Sequence, residues 1–136
     1  MDKFYRQIEV IIPVYNCKLL FRKAVQSVLS QNYQQIEIIL VDDGSTDGSS
    51  ILCEELANEN SQIYVIHQEN GGVSAARNAG IEYVLSEKVD MLSNCYIAFL
   101  DADDVWQSGF FTSDILDLLE KNYDILGFTS ARCNYA

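Results

Sequence analysis

The chain is poor in histidine, proline and positive charge. Its 136 residues include one histidine (His67), one proline (Pro13), and nine lysines and arginines against twenty aspartates and glutamates. A lone histidine leaves little room for a His-based catalytic triad or a His-rich metal site. A formal net charge of −11 argues against nucleic acid as a partner, because phosphate backbones are held by clustered Lys and Arg. No run approaches the roughly 18 apolar residues of a membrane span, and Met1-Asp2-Lys3-Phe4-Tyr5-Arg6-Gln7 has no signal-peptide core. These absences predict a cytoplasmic chain, any association with the inner face of the membrane coming through segments outside this stretch. The four cysteines, Cys17, Cys53, Cys95 and Cys133, lack C-x-x-C spacing and read as small hydrophobes rather than zinc ligands.

Hydrophobic residues make up 49% of the chain and charged ones 21%, ordinary for one soluble globular domain over residues 1–136. Repeats, low-complexity segments and linkers are absent. Apolar runs at 8–14, 36–41, 63–66, 96–100 and 123–128 predict strands. Between them, helical spacing predicts helices near 20–29, 47–58, 73–85 and 109–121. The β-α-β-α order predicts a mostly parallel sheet with helices on both faces.

Acidic residues gather where these strands end. Asp101-Ala102-Asp103-Asp104 follows the buried-strand pattern Tyr96-Ile97-Ala98-Phe99-Leu100. Like charges held a few ångströms apart repel, and a divalent cation relieves the repulsion; hard carboxylate oxygens suit Mg2+ or Mn2+. Asp42-Asp43 follows the strand pattern at 36–41 and leads into Gly44-Ser45-Thr46-Asp47-Gly48-Ser49, a loop rich in helix-capping residues. In open α/β sheets, ligands bind in the crevice at the carboxyl ends of the strands, so two acidic strand ends suggest one shared site.

Two further strand-end segments complete the pattern. One is Ile11-Ile12-Pro13-Val14-Tyr15-Asn16; the other is Gln68-Glu69-Asn70-Gly71-Gly72-Val73-Ser74-Ala75-Ala76-Arg77-Asn78-Ala79-Gly80. The glycines permit close backbone approach to a ligand, and a helix starting just after them offers free N–H groups to an anion. Arg77, one turn in, supplies a fork matched to phosphate oxygens. Tyr15 offers a flat face for stacking, and an aspartate can accept from the N3–H of uracil.

Together the four segments resemble the family 2 glycosyltransferases of GT-A fold, over about the first 110 residues. The resemblance implies an inverting, metal-dependent transfer of a sugar from a nucleotide-diphosphate sugar, UDP-sugar above others, to an acceptor hydroxyl. Such a hexosyltransferase-type enzyme would serve glycan or cell-surface polysaccharide synthesis, with a glycan, lipid-linked or protein acceptor. By position, it implies that Pro13, Tyr15, Asp43, Gly71, Arg77 and Asp101 bind the nucleotide. It further implies that Asp103 and Asp101 hold Mn2+ or Mg2+, with Asp103 the direct ligand. Asp42 reads as a cap or brace for its loop, Asp47 as a helix cap, and Asp104 as a residue that shapes the turn or helps the acceptor side. Trp106 reads either as the floor of a sugar subsite or as an anchor for the next helix. Glu54, Glu55 and Glu69 read as solvated charges.

No catalytic residue is identified. Asp114, Asp117 and Glu120 fit a helix face and Asp124 a strand start, which places the base outside this stretch. The chain therefore reads as the N-terminal, donor-binding part of a truncated GT-A domain. The alternative is a non-catalytic nucleotide-sugar-binding module or an inactive fragment. A nucleotidyltransferase would need a Gly-rich basic loop near residues 8–16. A receiver-type domain would need its acidic pair after the first strand. The stretch Leu85–Asn94 is longer than the family's usual link and reads as a tolerated surface insertion.

Overall fold

The computed structural model describes residues 6–121, 123, 124 and 127. Its strands are β1 (Gln7–Val14), β2 (Ile36–Asp43), β3 (Ile63–Gln68) and β4 (Cys95–Phe99). Its α-helices are α1 (Phe21–Leu29), α2 (Ser49–Glu59), α3 (Val73–Glu87) and α4 (Ser113–Glu120). The strand order is β3-β2-β1-β4, and all the described pairings are parallel. The mostly parallel α/β sheet expected from the sequence is thus present; most of the strand expected at 123–128 lies outside the described residues.

Alternation along β1 explains the two layers. Ile8, Val10, Ile12 and Val14 face a core shared with Ala24, Val25 and Val28 of α1 and Leu52 and Leu56 of α2. Ile11 faces the other way, packing with Ile39 and Val41 of β2 and with Ala76 and Val84 of α3. The central strands are apolar on both faces because helices cover both, as parallel sheets require.

α3 lies unusually close to β1. A Cβ on Gly80 would come within 2.6 Å of Ile11 Cγ2, so the helix can approach only where that side chain is missing. Gly80→Ala should force Ile11 or the helix to move and lower stability by about 1–3 kcal/mol, read by urea unfolding. A gain in stability would contradict this packing.

Several element limits differ from the sequence expectation, and three have a visible cause or consequence. β2 runs through Asp42 and Asp43, so the acidic pair forms the strand's last rungs: Asp42 pairs with Val14 and His67, and Asp43 with Gln68. α4 starts at Ser113 rather than near 109, because Thr112 caps it by accepting from the Ile115 N–H at 3.4 Å. Before that cap, Gln31 holds the loop by donating to the Gln107 carbonyl at 2.8 Å and accepting from the Phe110 N–H at 3.2 Å. The stretch at 85–94 is helical rather than a loose loop: α3 continues to Glu87, and a 3₁₀ turn spans Val89–Asn94.

Lys88, between them, pairs with Glu37 at 2.8 Å beneath the sheet. Beside this pair lies Glu9, fully buried, with both carboxyl oxygens lacking a standard hydrogen-bond partner. Burial first, then the Glu37 charge, raise Glu9 from 4.5 to about 7 against the opposing pull of Lys88. A raised folded-state pKa stabilises the fold fully below 4.5, and that contribution is lost as pH climbs through about 7. Glu9→Gln should therefore gain stability at pH 8 relative to the parent, by about 1–3 kcal/mol, with little gain at pH 4. Equal effects at both pH values would contradict the assignment.

Candidate functional site

The strand order reverses direction at β1. From β1 the chain steps outward to β2 and β3, then returns to place β4 on the other side of β1. The crevice at such a switch point is where open α/β sheets bind ligands. A cleft of about 590 Å³ opens there, lined by residues from all four strand ends. Pro13, Tyr15, Asp43, Arg77, Asp101 and Asp103 all line it. Gly71 does not, and its neighbours Asn70 and Gly72 take that place.

Asp43 is buried at 3% exposure, yet its carboxylate borders the cleft. It accepts from Gln68 Nε2 at 2.8 Å and from the Gly71 and Gly72 N–H groups at 2.9 Å each. Burial works to raise its pKa, but those three donors outweigh it and hold the carboxyl below its usual range. A carboxylate offers about four acceptor positions, so one remains after these three donors. The Gly71 N–H is committed to Asp43, which makes Gly71 a brace for the loop rather than a lining residue. Gly72 adopts φ +96°, a conformation glycine reaches without strain, and this turns the chain into α3.

The neighbouring loops are cross-tied through Asp42, also 3% exposed. Asp42 accepts from Ser45 N–H at 3.1 Å and Ser50 Oγ at 2.5 Å, and meets His67 Nδ1 at 2.7 Å. Burial opposes ionisation here too, but the hydrogen bonds win and lower the Asp42 pKa. Asp42 is therefore the brace the sequence suggested. Asp47 accepts from Ser49 N–H and Oγ at 2.9 and 2.6 Å at the start of α2, and from Lys18 N–H at 3.1 Å. It lies one residue before Gly48, the N-cap of α2, where it satisfies the first helical N–H and also fastens the loop that follows Tyr15. Tyr15 itself stands 53% exposed at the rim of the cleft, its ring free to take a flat ligand.

On the opposite wall, the Asp104 N–H bonds the Asp101 carbonyl at 3.0 Å, closing a turn after β4. That turn gathers Asp101, Asp103 and Asp104, each offering a carboxylate oxygen, with these oxygens within 4.8 Å of one another. Burial first, then the charges of Asp103 and Asp101, push the Asp104 carboxyl above its ordinary 3.8. Asp104 thus belongs to the cluster, a role its expected turn-shaping duty did not include. Arg77 Nη2 donates to Asp101 Oδ1 at 2.9 Å, while Arg77 Nε is buried with no hydrogen-bond partner. Exposed, hard-oxygen donors repelling one another fit a divalent cation, and the unsatisfied Nε fits an anionic ligand beside it.

Trp106 makes the contacts of an anchor. It packs at 5.9 Å between ring centroids from both Phe110 and Phe111, and its backbone N–H donates to Ser27 Oγ at 3.0 Å. Asp114 and Asp117 sit exposed on α4, and neither lines the cleft. Sequence reasoning missed Glu54, which meets His67 Nε2 at 2.6 Å instead of facing solvent alone. It read Ser45 only as a candidate helix cap and gave no role to Asn16, yet the two tie two loops: Asn16 N–H donates to Ser45 Oγ at 3.1 Å, and Thr46 N–H to Asn16 Oδ1 at 2.7 Å. Their signal was present as polar residues beside Tyr15 and Asp43, but loop-to-loop pairing has no periodicity to read. Among the described residues no helix is long and apolar enough to cross a membrane.

Comparison with known proteins agrees with this geometry. A similar chain is the glycosyltransferase GlyA of Streptococcus pneumoniae, 38% identical over 119 residues, covering 88% of this chain and 16% of GlyA. GlyG of the same organism is 37% identical over 120 residues, covering 88% of this chain and 37% of GlyG. This chain therefore spans well under half the length of these curated relatives. Among solved structures, Staphylococcus aureus TarS 1-349 in complex with UDP-GlcNAc has a TM-score of 0.60 at 26% identity, covering 73% of this chain and 27% of that one. The fold is shared also with the mannosyltransferase PcManGT of Pyrobaculum calidifontis, TM-score 0.63 at 21% identity, covering 77% of this chain and 30% of that one. The family model described as Glycosyl transferase family 2 matches residues 9–136, and the chain belongs to that family.

Proposed function

We propose that this chain is the donor-binding part of an inverting, metal-dependent glycosyltransferase that uses a UDP-sugar and delivers the sugar to an acceptor hydroxyl. The observation that carries this reading is one cleft at the switch point of the sheet, joining an exposed aromatic, a braced aspartate, an arginine and an acidic turn. Relatives named glycosyltransferases and a similar fold in complex with UDP-GlcNAc support it.

In this reading Tyr15 and Pro13 pack on the base, and the remaining acceptor position of Asp43 takes the N3–H of uracil. Arg77, which lines the cleft, faces the diphosphate and would exchange or share its Nη2 bond to Asp101 when an anion enters. Asp103 and Asp101 would hold Mn2+ or Mg2+, with Asp104 in the same cluster. When bound, such an ion neutralises charge growing on the departing diphosphate. The N-terminus of α3 adds N–H groups aimed at the same anion. None of the described carboxylates takes the role of base toward the acceptor, a role assigned to sequence beyond this stretch.

Base preference tests the reading. UDP should bind more tightly than CDP in the presence of Mn2+, because a carboxylate acceptor matches N3–H of uracil and cytosine has no proton there. Equal affinity for the two, measured by competition, would sink the uridine assignment.

A further inference from the structure

His67 is the sole histidine of the chain, and both its ring nitrogens face carboxylates. Nδ1 lies 2.7 Å from Asp42 Oδ2, and Nε2 lies 2.6 Å from Glu54 Oε1. A neutral imidazole carries one N–H, so one of these contacts would set a lone pair against a carboxylate. The imidazolium alone donates to both. The clamp joins three elements: His67 on β3, Asp42 at the end of β2, and Glu54 on α2.

The clamp leads directly to the donor cleft. Asp42 receives the Ser45 N–H, and Ser45 Oγ receives the N–H of Asn16, the residue after Tyr15. Asn16 sits at φ +46°, in the left-handed region that asparagine enters more readily than most non-glycine residues. Its side chain returns the tie by accepting from the Thr46 N–H at 2.7 Å. On the other side, Asp42 is bonded in sequence to Asp43, whose carboxylate borders the cleft. Movement of Asp42 therefore reaches both the aromatic wall and the aspartate wall of the site.

We propose that His67 is a positioning residue for the donor site: as an imidazolium clamped between Asp42 and Glu54, it holds the Tyr15–Asn16 and Gly44–Thr46 loops in nucleotide-binding geometry, and nucleotide affinity falls when it loses its proton. The inference rests on the donor-site reading above. Asp42 from β2 and Glu54 from α2 are the charged groups that act on His67. The buried Cys53 thiol of α2, in the field of the same two carboxylates, is pushed up to about 12 by burial and does not titrate in the same range. The hydrogen bonds to Asp42 and Glu54 raise the His67 pKa above its ordinary 6.5. The sign follows: the clamp is complete below 6.5 and is lost as pH rises through the elevated folded value.

The test combines calorimetry with the direct titration of one ring. UDP is titrated with Mg2+ between about pH 6.5 and pH 9 into the full chain, His67→Gln and Glu54→Gln. The parent should lose about fivefold in affinity across that range, near the lower end of ordinary coupling between sites. His67→Gln should sit at the weak end throughout with a shallower slope. Glu54→Gln should keep the slope but move it to lower pH. Because a single histidine is present, its ring resonances are unambiguous, and saturating UDP should raise their titration midpoint by the matching factor.

Parent and His67→Gln with the same pH slope, or a midpoint that UDP leaves unmoved, would overturn the proposal alone. A folded parent that binds no UDP at any pH would overturn the donor-site reading and this inference together. Should His67→Gln fail to fold, Glu54→Gln and the ring midpoint still decide it.

Discussion

Asp103→Asn is expected to weaken UDP binding in Mn2+ by at least about 10- to 100-fold, since even outer partners of bound metals cost that much. Asp103 is exposed on the turn that closes at Asp104, so the substitution removes a ligand charge without opening the core. Stability by urea unfolding should stay within about 0.5 kcal/mol of the parent, as for surface changes away from buried networks. The metal-free affinity should be nearly unchanged, because in this account the loss is of a metal bridge to the diphosphate. Undiminished Mn2+-dependent binding in the variant would remove Asp103 from the metal site. Asp101 would then be the residue to test, with the complication that it also holds Arg77.

Asp43→Ala is expected to have the opposite profile, damaging the fold and the site together. Its carboxylate is the common acceptor for Gln68 and for the Gly71 and Gly72 N–H groups. Removal strands three donors at once. A stranded buried donor costs about 1–3 kcal/mol, but the two glycines are exposed and can recruit water. A net loss of about 2–4 kcal/mol is therefore expected from urea unfolding, together with loss of measurable UDP binding. The pH dependence has a defined sign. A depressed folded-state pKa stabilises above the ordinary value of 3.8, and that contribution disappears as pH falls through the folded value. The difference in stability between parent and variant should thus shrink below pH 3.8. A variant that keeps full stability but loses UDP would mean Asp43 acts on the ligand and not on the loop.

The pattern of strands and helices was legible because the central strands carry apolar residues on both faces. Ile11 and Ile12 on adjacent positions, serving opposite cores, announce a strand covered by helices on two sides. That the segments carrying Pro13, Tyr15, Asp43, Arg77, Asp101 and Asp103 meet along one edge was legible because a parallel sheet places all its carboxyl ends there, while the choice of those residues came from the family resemblance. Residue duties within that edge were less legible. Asp42 and Asp43 are adjacent and chemically identical, yet one binds a histidine and serines while the other holds a glycine loop. Only three-dimensional register decides which donor each carboxylate meets. The same holds for Glu54, whose spacing on α2 suits a solvated face, and for Glu9, whose place in an apolar strand gave no warning of its buried partner Glu37.

The helical form of the stretch at 85–94 escaped the sequence for a different reason. Its composition is that of a surface loop, but Lys88 pairs back under the sheet with Glu37 and fixes the helix end there. A single long-range ion pair leaves no local signature. α4 was expected too early because its apolar spacing continues backward through Phe110 and Phe111, which instead form an aromatic cluster under the turn. Capping by Thr112, and not periodicity, sets where the helix begins.

The measurement that bears most directly on this account is calorimetric titration of UDP into the purified chain, with and without Mn2+. The account predicts saturable binding that strengthens markedly when Mn2+ is present, with one nucleotide per chain. A folded chain that binds no UDP in either condition would contradict it, leaving the sheet and its acidic turn as shared architecture without a working donor site.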